Sequence, residues 1–209
     1  MVDLKDIKLK KFVKDKTKEV LLKTGRKLVV ENGVDALSAR KLANSANSSV
    51  GMVYNIFGTM DNYIAEQNII TLTELYEKMK KVVLSKNPFN NLNHYADVLT
   101  AYIEANPNLW HLFYTSQLSV NTKRNSLGIA RIIKKIDILI SSQALQLIKG
   151  IGVKEKRLVI KVLEMSLFAL SGYLLGNGLN AKSELNRGSL CKLLMNTYMA
   201  GLATLGKVN

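Results

Sequence analysis

Residues 33–66 read GVDALSARKLANSANSSVGMVYNIFGTMDNYIAE, and this stretch decides the fold. Asn32-Gly33 is a helix stop. Ser38 stands as the N-cap of a short helix over SARKLANSA, and the polar run Asn44 to Ser49 offers turn chemistry, because Asn and Ser side chains bond to nearby backbone. A second short helix, SVGMVYNIF, follows at once, and Gly58-Thr59 breaks it. Two short helices joined by about four residues, the second of mixed polarity, make the arrangement that lays one helix in the major groove of DNA. Leu37, Leu42 and Ala43 are suited to packing the pair together, Ala46 is small enough for the crossing, and Phe57 is placed to anchor the second helix in the core. Gly51 lacks a side chain, so the backbone there can be approached closely, at a cost of about 1 kcal/mol in a helix interior.

Working outward, apolar residues recur at three- and four-residue spacing and only Pro88 and Pro107 interrupt the chain, which predicts helices throughout. Val20, Leu21, Leu22, Leu28, Val29 and Val30 predict a first helix over 17–31. Residues 1–16, rich in lysine, have the look of a flexible basic arm that orders against phosphate. Thr59 and Asp61 are placed to cap a long helix over 60–84, on the order of 35 Å at 1.5 Å per residue. Further helices are expected at about 91–106, 107–119, 126–149, 154–176 and 186–206. The expected fold class is all-α: an N-terminal three-helix DNA-binding domain with the basic arm over 1–58, then a C-terminal helical bundle over 59–209.

The 209 residues carry 30 Lys and Arg against 16 Asp and Glu, a formal net charge of +14, which draws the molecule to polyanions. A solubilising lysine excess is the plain alternative. Cys191 is the single cysteine, so no intramolecular disulfide and no zinc cluster is available, which fits the cytoplasm. The N-terminus lacks an apolar export segment, and the most apolar stretch, Leu158 to Leu175, still carries Lys161 and Glu164, so no membrane span is expected. His94 and His111 stand apart from any metal-ligand pattern. No Ser-His-Asp arrangement, phosphate-binding glycine loop or carboxylate pair is present, so neither an enzyme nor a cofactor is expected.

Residues 33–66 resemble the DNA-binding domain of the TetR family of bacterial transcriptional regulators along their whole length. Gly33, Leu37, Ser38, Arg40, Leu42, Ala43 and Ala46 begin the likeness; it is densest at Ser49, Gly51, Tyr54 and Phe57. The resemblance implies that Ser38, Ser49 and Tyr54 hydrogen-bond phosphates, that Arg40 and Lys41 add phosphate contacts, and that Val50, Met52 and Asn55 face base edges or thymine methyls, with Gly51 letting the backbone close in. Two positions depart from the family pattern. Asn47 stands where glycine is common in the turn, and tolerates the same left-handed backbone. Met60 stands where a lysine is usual, removing one charge from the phosphate grip.

Past about residue 85 the resemblance weakens, although Asn106 to Tyr114, NPNLWHLFY, is similar to a segment frequent in the family's ligand-binding domains. It implies a pocket for a small, largely apolar effector lined by Leu109, Trp110, Leu112, Phe113, Met165 and Phe168; a packed core without a cavity is the alternative. The two last helices carry broad apolar faces. The resemblance implies a homodimer interface through Leu167, Leu170, Leu174, Leu190, Leu194, Tyr198 and Leu202, the alternative being that these faces bury each other inside one monomer. The function so implied is a homodimeric repressor released from double-stranded operator DNA by its effector. A basic helical adaptor for RNA or anionic surfaces, without sequence reading, is the contrasting expectation.

Overall fold

The computed structural model describes residues 4–118, 126–148, 152–179 and 187–205. Among them the chain forms nine α-helices: α1 (Leu4–Asn32), α2 (Ala39–Ser45), α3 (Val50–Phe57), α4 (Met60–Lys80), α5 (Pro88–Ala105), α6 (Pro107–Leu118), α7 (Ser126–Leu147), α8 (Val153–Leu179) and α9 (Arg187–Leu205). A single turn of 3-10 helix covers Val34–Ala36, and no described residue is in a strand.

The expected flexible arm is helix instead. α1 begins at Leu4 and runs unbroken to Asn32, because lysine and leucine are good helix formers and no proline or glycine occurs before Gly25. Local side-chain bonds reinforce it. The Thr17 hydroxyl donates to the Val13 carbonyl at 2.8 Å, and Lys16 pairs with Glu19 at 3.2 Å.

The chain divides into two compact units, Met1–Thr71 with Asn108–Ile129 and Leu72–Pro107 with Ala130–Asn209, rather than at residue 58. The first unit reaches past 58 because the start of α4 is bonded to α1. Tyr63 Oη donates to the Leu21 carbonyl at 3.0 Å, and Gln67 Nε2 donates to the Leu22 carbonyl at 2.6 Å and to the Tyr63 hydroxyl at 2.7 Å. Arg26 reaches Thr71 Oγ1 at 3.0 Å. Burial pushes the Tyr63 phenol far above its ordinary pKa, so it stays a neutral donor. α6 belongs to this unit for a similar reason: Leu109 and Leu112 pack on Val29 of α1, and Asn108 Nδ2 donates to the Val30 carbonyl at 3.0 Å.

In the second unit α5 packs on α8 and α9. Asn87 caps α5 through a bond from the Phe89 amide, with Pro88 in the first turn where its missing N–H is harmless. Buried Asn91 donates to Gln143 Oε1 at 2.8 Å and to the Ser85 carbonyl at 2.9 Å, tying the connection before α5 to α7. α8 is apolar on two sides. Val159, Leu163, Leu170 and Leu174 are buried, while Leu158, Val162, Met165 and Phe168 are exposed. Its segment Lys156–Leu175, mean hydropathy 1.8, is long and apolar enough to cross a membrane by length and composition alone. The inner stripe of that segment serves the core of its unit, as in many soluble helices.

Candidate nucleic-acid interface

Each short helix of the helix-turn-helix starts at the serine the sequence marks. Ser38 Oγ accepts from the Lys41 amide at 3.3 Å, and Ser49 Oγ accepts from the Met52 amide at 3.1 Å. Both serines have the extended backbone of an N-cap. Between the helices, Asn47 is the one described non-glycine residue with positive φ, 49°. That is the left-handed conformation expected where the turn has no glycine.

Leu42, Ala43, Val53, Phe57, Leu21 and Tyr63 form one core cluster, with Leu37, Ala46 and Met60 packed at its edge. The Phe57 and Tyr63 rings meet edge to face at 87°, centroids 4.9 Å apart. Met60, where a lysine was expected by similarity, thus adds apolar contact. Gly58, at φ 78°, ends α3, and Asn62 Nδ2 donates to the Phe57 carbonyl at 2.8 Å, closing the helix end. Thr59 Oγ1 accepts from the Asn62 amide at 3.1 Å, so Thr59 caps α4 as the sequence indicates.

With Val53 and Phe57 turned inward, α3 presents Val50, Gly51, Met52, Tyr54 and Asn55 to solvent. Ser38, Arg40, Lys41 and Ser49 are exposed on the same unit, so all nine residues assigned to DNA from the sequence lie at its surface. The Lys41 ammonium rests on the Asp35 carbonyl at 3.4 Å. At Gly51 an added Cβ would meet only Ser49 Oγ, at 3.8 Å, so no neighbour inside the protein requires glycine there. Gly51 is the second residue of α3, where its helix penalty is smaller than in an interior.

Two features escaped the sequence reading. Lys18 Nζ lies 5.8 Å from the Phe57 ring centroid and pairs with Glu66 at 2.7 Å, placing α1 beside the end of α3. The Asn62 clamp on α3 is the second. Neither has a sequence signal, since each depends on contacts set by tertiary packing.

Solved structures share this architecture. A TetR transcriptional regulator from Rhodococcus sp. RHA1 superposes with TM-score 0.65 at 12% identity, covering 88% of this chain and 96% of that one. A TetR family transcriptional regulator from Thermus thermophilus gives 0.62 at 14% identity, over 86% and 97%. The chain has the fold of the TetR-family transcriptional regulators. A fatty acid degradation regulator from Bacillus halodurans shares the TetR-type fold too, with TM-score 0.61 at 13% identity, over 87% and 94% of the two chains. No protein-family model matches the sequence, and no curated protein matches it.

Within this TetR-type fold the residues assigned to a ligand pocket have separate placements. Leu109, Trp110, Leu112 and Phe113 are buried in the first unit, the Leu pair against Val29 and the Trp110 and Phe113 rings 5.0 Å apart. Met165 and Phe168 belong to the second unit, 63% and 42% exposed on the outer stripe of α8. The interface residues also need correction. Leu170 and Leu174 are 5% and 2% exposed, within the core of their own unit, and half-buried Leu167 lines a cleft with Asp137, Ile140 and Leu163. The reason is the periodicity itself: a helix apolar on two sides does not reveal which stripe turns inward. Leu194 and Tyr198 are half-buried, and Tyr198 donates to the Val159 carbonyl. The side chains of Leu190 and Leu202 lie outside the described residues.

In that cleft the Asp137 carboxyl is pushed up to about 6, by burial first and by the Glu164 charge second, with Lys161 acting against both. Lys161 and Glu164 pair at 2.8 Å.

Proposed function

We propose that the chain is a sequence-reading transcriptional regulator whose α3 enters the major groove of double-stranded operator DNA. The observation that supports this is the two-sided construction of α3, with Val53 and Phe57 locking one side while Val50, Gly51, Met52, Tyr54 and Asn55 stand outward. A helix held so firmly presents its outer side chains in one register. In this reading Ser38 and Ser49 each use the oxygen to cap a helix and the hydroxyl proton to bond a phosphate, as Tyr54 does with its phenol. Arg40 and Lys41 add charge, while Val50, Met52 and Asn55 meet thymine methyls and base edges. Gly51 lets the backbone close on the groove.

The regulator acts in the cytoplasm as a homodimer, whose two copies of α3 read half-sites about one helical turn apart. The outer stripe of α8 supports this: Leu158, Val162, Met165, Phe168 and Tyr173 are 42–63% exposed, with Leu193 of α9 at 62%. Covering each adds on the order of 1 kcal/mol. These residues replace the buried leucines expected from the sequence. Repression is relieved by a small, largely apolar effector that prefers one separation of the reading heads over the other. Fatty acids are the first to screen, because one fold neighbour regulates their degradation.

The test is binding to a duplex recovered by selection from a random pool, against a scrambled duplex of equal length, with the wild type and Asn55→Ala. Preference that survives about 0.15 M salt and is weakened by Asn55→Ala supports the reading. Equal binding to both duplexes, vanishing together as salt rises, refutes it and favours a charge-driven adaptor.

A further inference from the structure

Among the described side chains of α1, Leu21 is the first buried in the core; those from Leu9 to Val20 are exposed or half-buried. The turns from Leu4 to Val20 therefore form a helical rod of about 25 Å at 1.5 Å per residue. That stretch holds seven lysines, at 5, 8, 10, 11, 14, 16 and 18, against Asp6, Asp15 and Glu19. At 100° per residue those positions cover about two thirds of the helix circumference, leaving a strip of about 120° that holds Leu9, Val13 and Val20 with Asp6 and Thr17. Leu9, Phe12, Val13 and Val20 are exposed too, but Phe12 falls among the lysines and the strip with Leu9, Val13 and Val20 is narrow and shared with Asp6 and Thr17, whereas a helix lying in a lipid surface has a broad apolar face. A rod positive over most of its circumference suits a rigid polyanion.

Its point of departure is beside the recognition helix. Lys18, at the base of the rod, sits over the ring of Phe57, the last residue of α3, and pairs with Glu66 of α4. From this juxtaposition we infer that the N-terminal rod of α1 binds the phosphates of DNA flanking the segment that α3 reads, widening the contact beyond the helix-turn-helix. The inference rests on the reading of α3 proposed above. The charge that Met60 fails to supply is thereby provided from another element, and the rod adds affinity without adding sequence preference.

The experiment uses the full chain and a variant carrying Lys8→Gln, Lys10→Gln, Lys11→Gln and Lys14→Gln, which keeps helix-forming residues and leaves the Lys16–Glu19 and Lys18–Glu66 pairs intact. Binding is measured on a selected operator trimmed to the core site and on the same operator with flanks of about one helical turn on each side. The wild type is expected to gain about tenfold or more from the flanks at low salt. The variant should lose that gain and show a slope of log affinity against log salt shallower by up to about 3.6 per chain. Its preference for operator over scrambled duplex should equal the wild type's. An unchanged flank gain and slope in the variant overturns the inference alone. So does an unchanged flank gain accompanied by lost binding to vesicles of phosphatidylglycerol, which would assign the lysines to a lipid surface. A wild type that does not tell operator from scrambled DNA overturns the regulator reading, and this inference with it.

Discussion

Replacing Gly25 by alanine should destabilise the protein, although alanine is the better helix former by about 1 kcal/mol. A Cβ at Gly25 would lie 1.7 Å from Tyr63 Oη, 2.8 Å from Tyr63 Cζ and 3.1 Å from Leu42 Cδ1. Tyr63 is fully buried, so its ring has no open space to move into. Displacing it weakens the hydroxyl's bonds to the Leu21 carbonyl and Gln67, about 1 kcal/mol each. It also disturbs the edge-to-face contact with Phe57, worth about 0.5–1.5 kcal/mol. Overpacking a core adds about 1–3 kcal/mol. After the helix-propensity gain, the net loss is about 2.5–5.5 kcal/mol, or roughly 5–22 °C in Tm for a chain of this length. Far-UV circular dichroism during thermal and urea unfolding measures it. Gly51→Ala is the matched control: its Cβ enters open space, so stability should hold or rise by about 0.4–1 kcal/mol, while operator affinity falls. A Gly25→Ala protein as stable as the wild type would refute the packing argument.

Three other outcomes follow from the geometry. Asn47→Val should cost about 1–2 kcal/mol, because a β-branched residue is forced to φ 49°, whereas Asn47→Gly should be tolerated; urea midpoints compare the two. Asp137→Asn should stabilise the protein at pH 7–8 by about 1 kcal/mol, a figure discounted because the group is partly solvated. The sign follows from linkage: the carboxyl's folded pKa of about 6 lies above its ordinary 3.8, so the folded state holds the proton more tightly. Wild-type stability thus declines as pH rises from about 4 to 6, and the two proteins should converge below pH 4 in thermal melts. Finally, Val162→Asp with Met165→Asp should yield a folded monomer by sedimentation, since both are at least half exposed, whereas Leu170→Asp should unfold its unit.

The local parts of the reading were legible because their signals are local. Ser38 and Ser49 announce helix starts, Asn47 a left-handed turn, and Leu42, Ala43 and Phe57 an inward face, and each is found in that role. What the chain did not disclose depends on distant partners. Nothing in the pattern of α8 distinguishes the stripe through Leu170 from the one through Met165, because both are apolar at helical spacing. The lysine-rich start reads as tail because it has few apolar residues to pack, yet lysine is compatible with a helix that grows out of a packed one. The extent of the first unit was hidden for the same reason. Tyr63, Gln67 and Leu109 find α1 only across 40 or more residues of intervening sequence, as the Tyr63 to Leu21 bond, separated by 42 positions, illustrates.

The discontinuity of that first unit bears on how the protein is made. Val29 is covered by Leu109 and Leu112, which enter from a segment synthesised long after the helix-turn-helix. At about 5–20 residues per second, the DNA-reading unit waits several seconds on the ribosome before α6 exists to complete it. Until then Val29 is short of its cover, and the lysine-rich helix ahead of it has already left the tunnel. A fragment ending at Thr71 would be held in the same unfinished state, so the reading head is a product of the chain well beyond its own helices.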